Sequence, residues 1–158
     1  MKRISWPVVV LSVVILFLLL AYANRDKLNN FISRELQEQA EKEVVLSAKE
    51  EVASKYNYAI NGNNFDFTFL EFSSSGCAIC KQMEPVLKEI KNSKVINVNV
   101  VFLHIMKSEN QDLMKYYGIS AVPMQILLNN EGKEFFRHYG FISTAELEKI
   151  FLDKKRNN

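Results

Sequence analysis

The sequence predicts an α/β domain, a central mixed β-sheet flanked by helices, preceded by an N-terminal transmembrane helix and a helical stalk. Three observations carry this reading. A long apolar run opens the chain. A charged stretch without Gly or Pro comes next, from Asp26 to about Tyr56. From Phe65 onward, aromatic or β-branched runs alternate with helical stripes and turn signals, as layered α/β domains require.

The bulk numbers set bounds. The 158 residues give room for one domain with a real core and an extra segment. Twenty basic side chains face 18 acidic ones, so the formal charge of +2 gives no electrostatic footprint for nucleic acid. The two cysteines are too few for a disulfide framework or a four-thiolate zinc site. No metal site is predicted: His104 and His138 have no partner at ligand spacing and read as structural or surface residues.

The run Ile4–Ala23 is long enough to cross about 30 Å of hydrocarbon as a helix. Trp6 and Tyr22 sit near its two ends, where amphipathic rings prefer the interface. Its length favours an uncleaved anchor, while Ala21-Tyr22-Ala23 fits a cleavage site and leaves secretion after Ala23 open. On either reading Lys2 and Arg3 hold the start in the cytoplasm and place the chain beyond Asn24 on the extracytoplasmic side. The expected division is 1–24 transmembrane anchor or signal peptide, 25–60 helical stalk and first helix of the domain, 61–153 the domain, and 154–158 a basic tail.

Within the stalk, Leu28, Phe31, Ile32 and Leu36 fall at helical spacing, and Val44, Val45, Ala48, Val52 and Tyr56 continue a weaker stripe. A short strand around 43–47 stays open on periodicity alone. Asn61-Gly62-Asn63-Asn64 is a loop. Phe65–Phe72 is a strand, and Ser73-Ser74-Ser75-Gly76 a loop. A helix from near Cys77 to Lys91 carries Met83, Val86, Leu87 and Ile90 as its stripe, with Pro85 expected to kink it. Val95–Ile105 is a buried strand. Ser108-x-x-Gln111 predicts a capping box for a helix to Tyr117 that ends at Gly118. Met124–Leu128 and Lys133–Tyr139 are strands joined by the turn Asn129–Gly132, and Ser143-x-x-Glu146 caps a last helix.

The chemistry centres on Cys77-Ala78-Ile79-Cys80. A disulfide across so short a loop adds little by constraining the unfolded chain, so it is there to be made and broken. Cys77 stands where the Ser/Gly loop meets the helix. There the free N–H groups and the macrodipole favour a thiolate. Cys80, one turn in, should be shielded. Cys77 then exchanges with substrate, and Cys80 resolves the mixed disulfide. Glu71 is the proton partner expected for Cys80. It is the only acid at the carboxyl end of an otherwise apolar strand, on the face of Phe67 and Phe69, where burial should raise its pKa.

These residues resemble the thioredoxin superfamily over about 90 residues, Phe65 to Leu152. The resemblance rests on the C-x-x-C after a strand, Glu71 six before Cys77, Pro85 five after Cys80, Tyr117-Gly118-Ile119-x-x-Val122-Pro123, and Gly140. It implies a thioredoxin-like fold with Val122–Pro123 in cis beside the sulfurs. Gly76, Ala78, Ile79, Val122 and Pro123 would then meet the substrate. Gly76 departs from the family's common Trp, and Ala78-Ile79 from the Gly-Pro of reducing thioredoxins. The implied function is an extracytoplasmic thiol–disulfide oxidoreductase, with no cofactor beyond its own disulfide. It would reduce or exchange disulfides of protein substrates and be resupplied by a membrane electron-transfer protein. A copper(I)-handling dithiol module and a redox-inactive interaction module are the alternatives.

Overall fold

The computed structural model describes residues 6–157. Lys2 and Arg3, on which the expected orientation rests, lie outside the described residues, as does Asn158. The chain opens with α1 (Trp6–Ala23), long and apolar enough to cross a membrane and with none of its residues buried. Next come α2 (Arg25–Glu38), α3 (Lys42–Tyr56) and the short α4 (Tyr58–Asn61). Then β1 (Phe67–Ser73), α5 (Ala78–Lys91), β2 (Val98–His104), a 3₁₀ turn (Ser108–Asn110) and α6 (Gln111–Tyr117) succeed one another. The chain ends with β3 (Met124–Asn129), β4 (Glu134–Tyr139) and α7 (Thr144–Arg156).

The four strands form one mixed sheet in the order β2-β1-β3-β4. β1 runs parallel to β2 and antiparallel to β3, and β3 pairs antiparallel with β4. Side chains alternate across β1, so each face has its own core. Leu70 and Phe72 pack with Met124, Ile126, Leu128 and with Ala48, Val52 and Tyr56 of α3. Phe67 and Phe69 pack on the other side with Met83, Leu87 and Ile90 of α5 and Leu147 and Phe151 of α7. α7 starts with the expected capping box, Ser143 Oγ accepting from Glu146 N and Ser143 N donating to the Glu146 carboxylate.

One open point closes and four local expectations change, the first being that β2, read as a buried strand, lies at the edge of the sheet with Phe102 exposed. Residues 43–47 lie inside α3, because Ala48, Val52 and Tyr56 recur every turn and bury one helical face. No capping box forms at Ser108: a 3₁₀ turn comes first, α6 starts at Gln111, and the Gln111 amide is drawn back to Ile105 O at 2.5 Å. The basic residues read as a tail, Lys154, Lys155 and Arg156, form the last turn of α7, where cations suit the helix C-terminus. Lys155 also pairs with Asp66 at 2.6 Å.

The fourth concerns the stretch read as a stalk. α3 packs on α6, with Ser47 Oγ donating to Asp112 at 3.3 Å, and α2 lies along α6 and β4. α2 docks by its small polar face: Ser33 is buried, while Leu28 and Phe31 stay exposed on the opposite side. The contact is backbone against backbone. Gly118 ends α6 at φ 61°, and a Cβ built there would stand 2.1 Å from Ser33 O. Gly118→Ala should therefore cost about 2–4 kcal/mol, from left-handed strain plus displacement of α2. Urea unfolding measures it, and a loss below about 1 kcal/mol would mean that α2 yields freely.

Candidate active site

The loop Ser74–Gly76 carries the chain from the end of β1 to the start of α5. Gly76 sits at φ 84°, a backbone position a Trp would hold only under strain, which accounts for the glycine there. Cys77 is extended and acts as the N-cap of α5. Its sulfur accepts from Cys80 N at 3.1 Å, taking one of the donors that a helix start leaves unpaired. In the reduced state the same N–H would stabilise a Cys77 thiolate.

Cys77 and Cys80 form a disulfide with 5.2 Å between their Cα atoms. Cys77 is half-buried, whereas Cys80 is only 4% exposed. Gly76, Ala78 and Ile79 are all exposed around them. Opposite, Cys77 Sγ lies 3.9 Å from Val122 O, and the Val122–Pro123 bond is cis. Pro123 O in turn accepts from Gly140 N at 2.9 Å, tying this wall to the residue after β4.

Glu71 lies on the face of β1 that α5 covers and is fully buried. Neither carboxyl oxygen has a hydrogen-bond partner among the described residues. Burial pushes its pKa from 4.5 up to about 8, and the Gln125 amide offsets this only in part. An acid so placed holds its proton through neutral pH, and its pKa is matched to proton exchange with a thiol.

Two residues here escaped the sequence reading as parts of the site. Gln125 is fully buried and stands directly across β1–β3 from Glu71, its Nε2 donating to Gly140 O at 3.1 Å. His104 ends β2 opposite Ser73, and its Nε2 stands 2.8 Å from Ser75 Oγ and 3.1 Å from Ser75 N. It holds the loop that leads into Cys77. Parallel pairing of β1 with β2 brings it there, and that pairing is not readable from the strand itself.

Comparison with known proteins gives one consistent result. The family described as "Thioredoxin-like domain" matches residues 53–155. A thioredoxin of Buchnera aphidicola is 32% identical over 95 residues, covering 60% of this chain and 84% of the relative. A chloroplastic thioredoxin-like protein of Arabidopsis thaliana is 26% identical over 89 residues, covering 56% of this chain but only 34% of the relative, about a third of its length. Among solved structures, a thioredoxin of Nicotiana alata aligns with TM-score 0.50 and 27% identity, over 68% of this chain and 81% of that one. With the cysteine pair at the start of α5 as its redox centre, the chain belongs to the thioredoxin-like family and has the chemistry of a thiol–disulfide oxidoreductase.

Proposed function

We propose that the chain reduces disulfides of protein substrates on the extracytoplasmic side of a membrane, held there by α1. The observation that carries this is the unequal burial of the two sulfurs: Cys77 is half-buried at a helix N-terminus and Cys80 is enclosed. The Cys77 thiolate attacks a substrate disulfide, forming one S–S bond while the substrate's own S–S bond breaks. The first substrate sulfur leaves as a thiolate and takes a proton. The ionised form of Glu71, the minor form at neutral pH, then takes the proton of Cys80, and Cys80 attacks Cys77 Sγ. The second substrate sulfur leaves, and two electrons have passed to the substrate. A membrane electron-transfer protein would return the chain to the dithiol.

Several features support protein substrates. The exposed rim of Gly76, Ala78 and Ile79 lies beside the half-buried Val122, whose backbone would pair with an extended segment. Exposed Phe141 comes directly after Gly140, whose N–H holds Pro123 O. The apolar length of α1 and its bare surface support the membrane reading.

Equilibration of the Cys77–Cys80 couple with glutathione tests the direction of flow. A potential near about −270 mV is expected for a reductant, and one near about −120 mV would make the chain an oxidant instead. An impermeant thiol reagent tests the side. After mild reduction it should label Cys77 in intact cells. Labelling only after lysis would place the domain in the cytoplasm.

A further inference from the structure

Glu71 and Gln125 stand opposite each other between the two central strands, and neither is explained by packing. Both are fully buried. Directly opposed residues on an antiparallel pair hold their Cβ atoms about 4.5–5.5 Å apart, within reach of both side chains. Among the described residues, three oxygens in this pair lack partners: both of the Glu71 carboxyl and Oε1 of Gln125. Oxygens without donors in a dry interior are costly, unless one of them carries a proton. A neutral Glu71 supplies that proton. Its O–H can donate to Gln125 Oε1, while the other end of the carboxamide donates to Gly140 O at 3.1 Å.

We propose that Gln125 is a positioning residue that couples the protonation of Glu71 to the substrate-facing loop. When Glu71 is neutral, the carboxamide is fixed at both ends and pins Gly140 O. When Glu71 ionises, the O–H is gone and the carboxylate needs a donor. The Gln125 NH₂ is the group opposite it. Turning that NH₂ toward Glu71 swings Oε1 toward Gly140 O, where two acceptors meet, so Gly140 is released. Gly140 N holds Pro123 O at 2.9 Å, and Pro123 adjoins the Val122 carbonyl facing Cys77 Sγ. The proton state of the buried acid is thereby reported at the surface where substrate docks.

The surroundings hold few other groups that titrate. On β4, His138 is opposite Gln125 and its Nε2 donates to Phe141 O at 3.1 Å, a second pin on the same turn. On β2, Phe102 is opposite Glu71, and His104 beyond it is engaged with Ser75. From α5 comes Cys80, with Lys81 and Glu84 exposed. From α7 comes Glu146, held by Ser143. Every one of these except Cys80, Lys81 and Glu84 thus has a fixed partner or no charge.

This inference rests on the reading of Glu71 as the proton partner of Cys80, and the experiment separates the two. Solution NMR of the oxidised full chain in detergent micelles can track the Glu71 carboxyl carbon and the Gly140 and Phe141 amides from roughly pH 5 to 10. The amides should titrate with the midpoint of Glu71, and Glu71→Gln should erase that phase. In Gln125→Met the amides should no longer track Glu71. Amides that stay flat through the Glu71 titration in the unaltered chain overturn the proposal, whether or not the variants fold. Thiol exchange at full speed in Glu71→Gln, with the amides still tracking Glu71 in the parent, would remove the proton-transfer role and keep the coupling.

Discussion

Glu71→Gln should stabilise the domain at pH 8 by about 3–5 kcal/mol, and the gain should vanish near pH 4.5. In the unfolded chain this carboxyl ionises near its ordinary 4.5, whereas in the fold burial holds it to about 8. Between those values the folded state binds one more proton than the unfolded state. Stability must then fall as pH rises, by about 1.4 kcal/mol per unit, and level off above the folded pKa. Below the unfolded pKa both forms are neutral, and glutamine gains nothing. Glutamine keeps the shape, has no charge to bury, and can still meet Gln125. Urea unfolding of both chains across this range measures the difference. A difference that stays constant with pH would show that Glu71 ionises as freely in the fold as out of it. The same substitution should slow resolution of the mixed disulfide by about 10²-fold, since Cys80 loses its proton acceptor. A chain that becomes more stable yet slower is the signature of a group retained for chemistry.

The same physics decides how far the sequence could be read. The cysteine pair was legible because its spacing and its place before a helical stripe are both local. The burial of Glu71 was legible because alternation along β1 puts it with Phe67 and Phe69, which pack under α5. Gln125 was not, because a glutamine in a strand reads as the solvent-facing member of the alternation. Only the position of β3 at the centre of the sheet buries both faces. His104 was hidden in the same way: its contact with Ser75 spans two strands and exists only in the β1–β2 register. α2 shows a different limit. Periodicity gave the helix correctly, but not which side docks. Close approach to Gly118 demands a small residue, so Ser33 takes that place and the apolar residues Leu28 and Phe31 face away. The Ser108 motif failed because a capping box needs its acidic or amide side chain free to reach back to the cap. Here Gln111 is committed to Ile105 O.

The two sulfurs should respond to removal in opposite ways. Cys77→Ala should lower exchange with protein disulfides by at least about 10³-fold, because it removes the thiolate that meets substrate. Cys80→Ala should leave the first attack intact and block the second, so the chain accumulates covalently bound to its substrates. The asymmetry comes from position. Cys77 caps α5 and is half-open beside the exposed Gly76, Ala78 and Ile79, while Cys80 is 4% exposed beneath them. A substrate sulfur must approach in line with the bond it breaks, and the enclosed sulfur of Cys80 offers no such approach to a folded partner. Its reach is to Cys77 alone, 5.2 Å away between Cα atoms. Non-reducing electrophoresis after acid quenching, with identification of the trapped proteins, reads both variants at once. Mixed disulfides formed equally well through Cys80 in the Cys77→Ala chain would reverse the assignment. Adducts confined to Cys77 would instead make burial of one sulfur the feature that turns a disulfide into a directed two-step exchange.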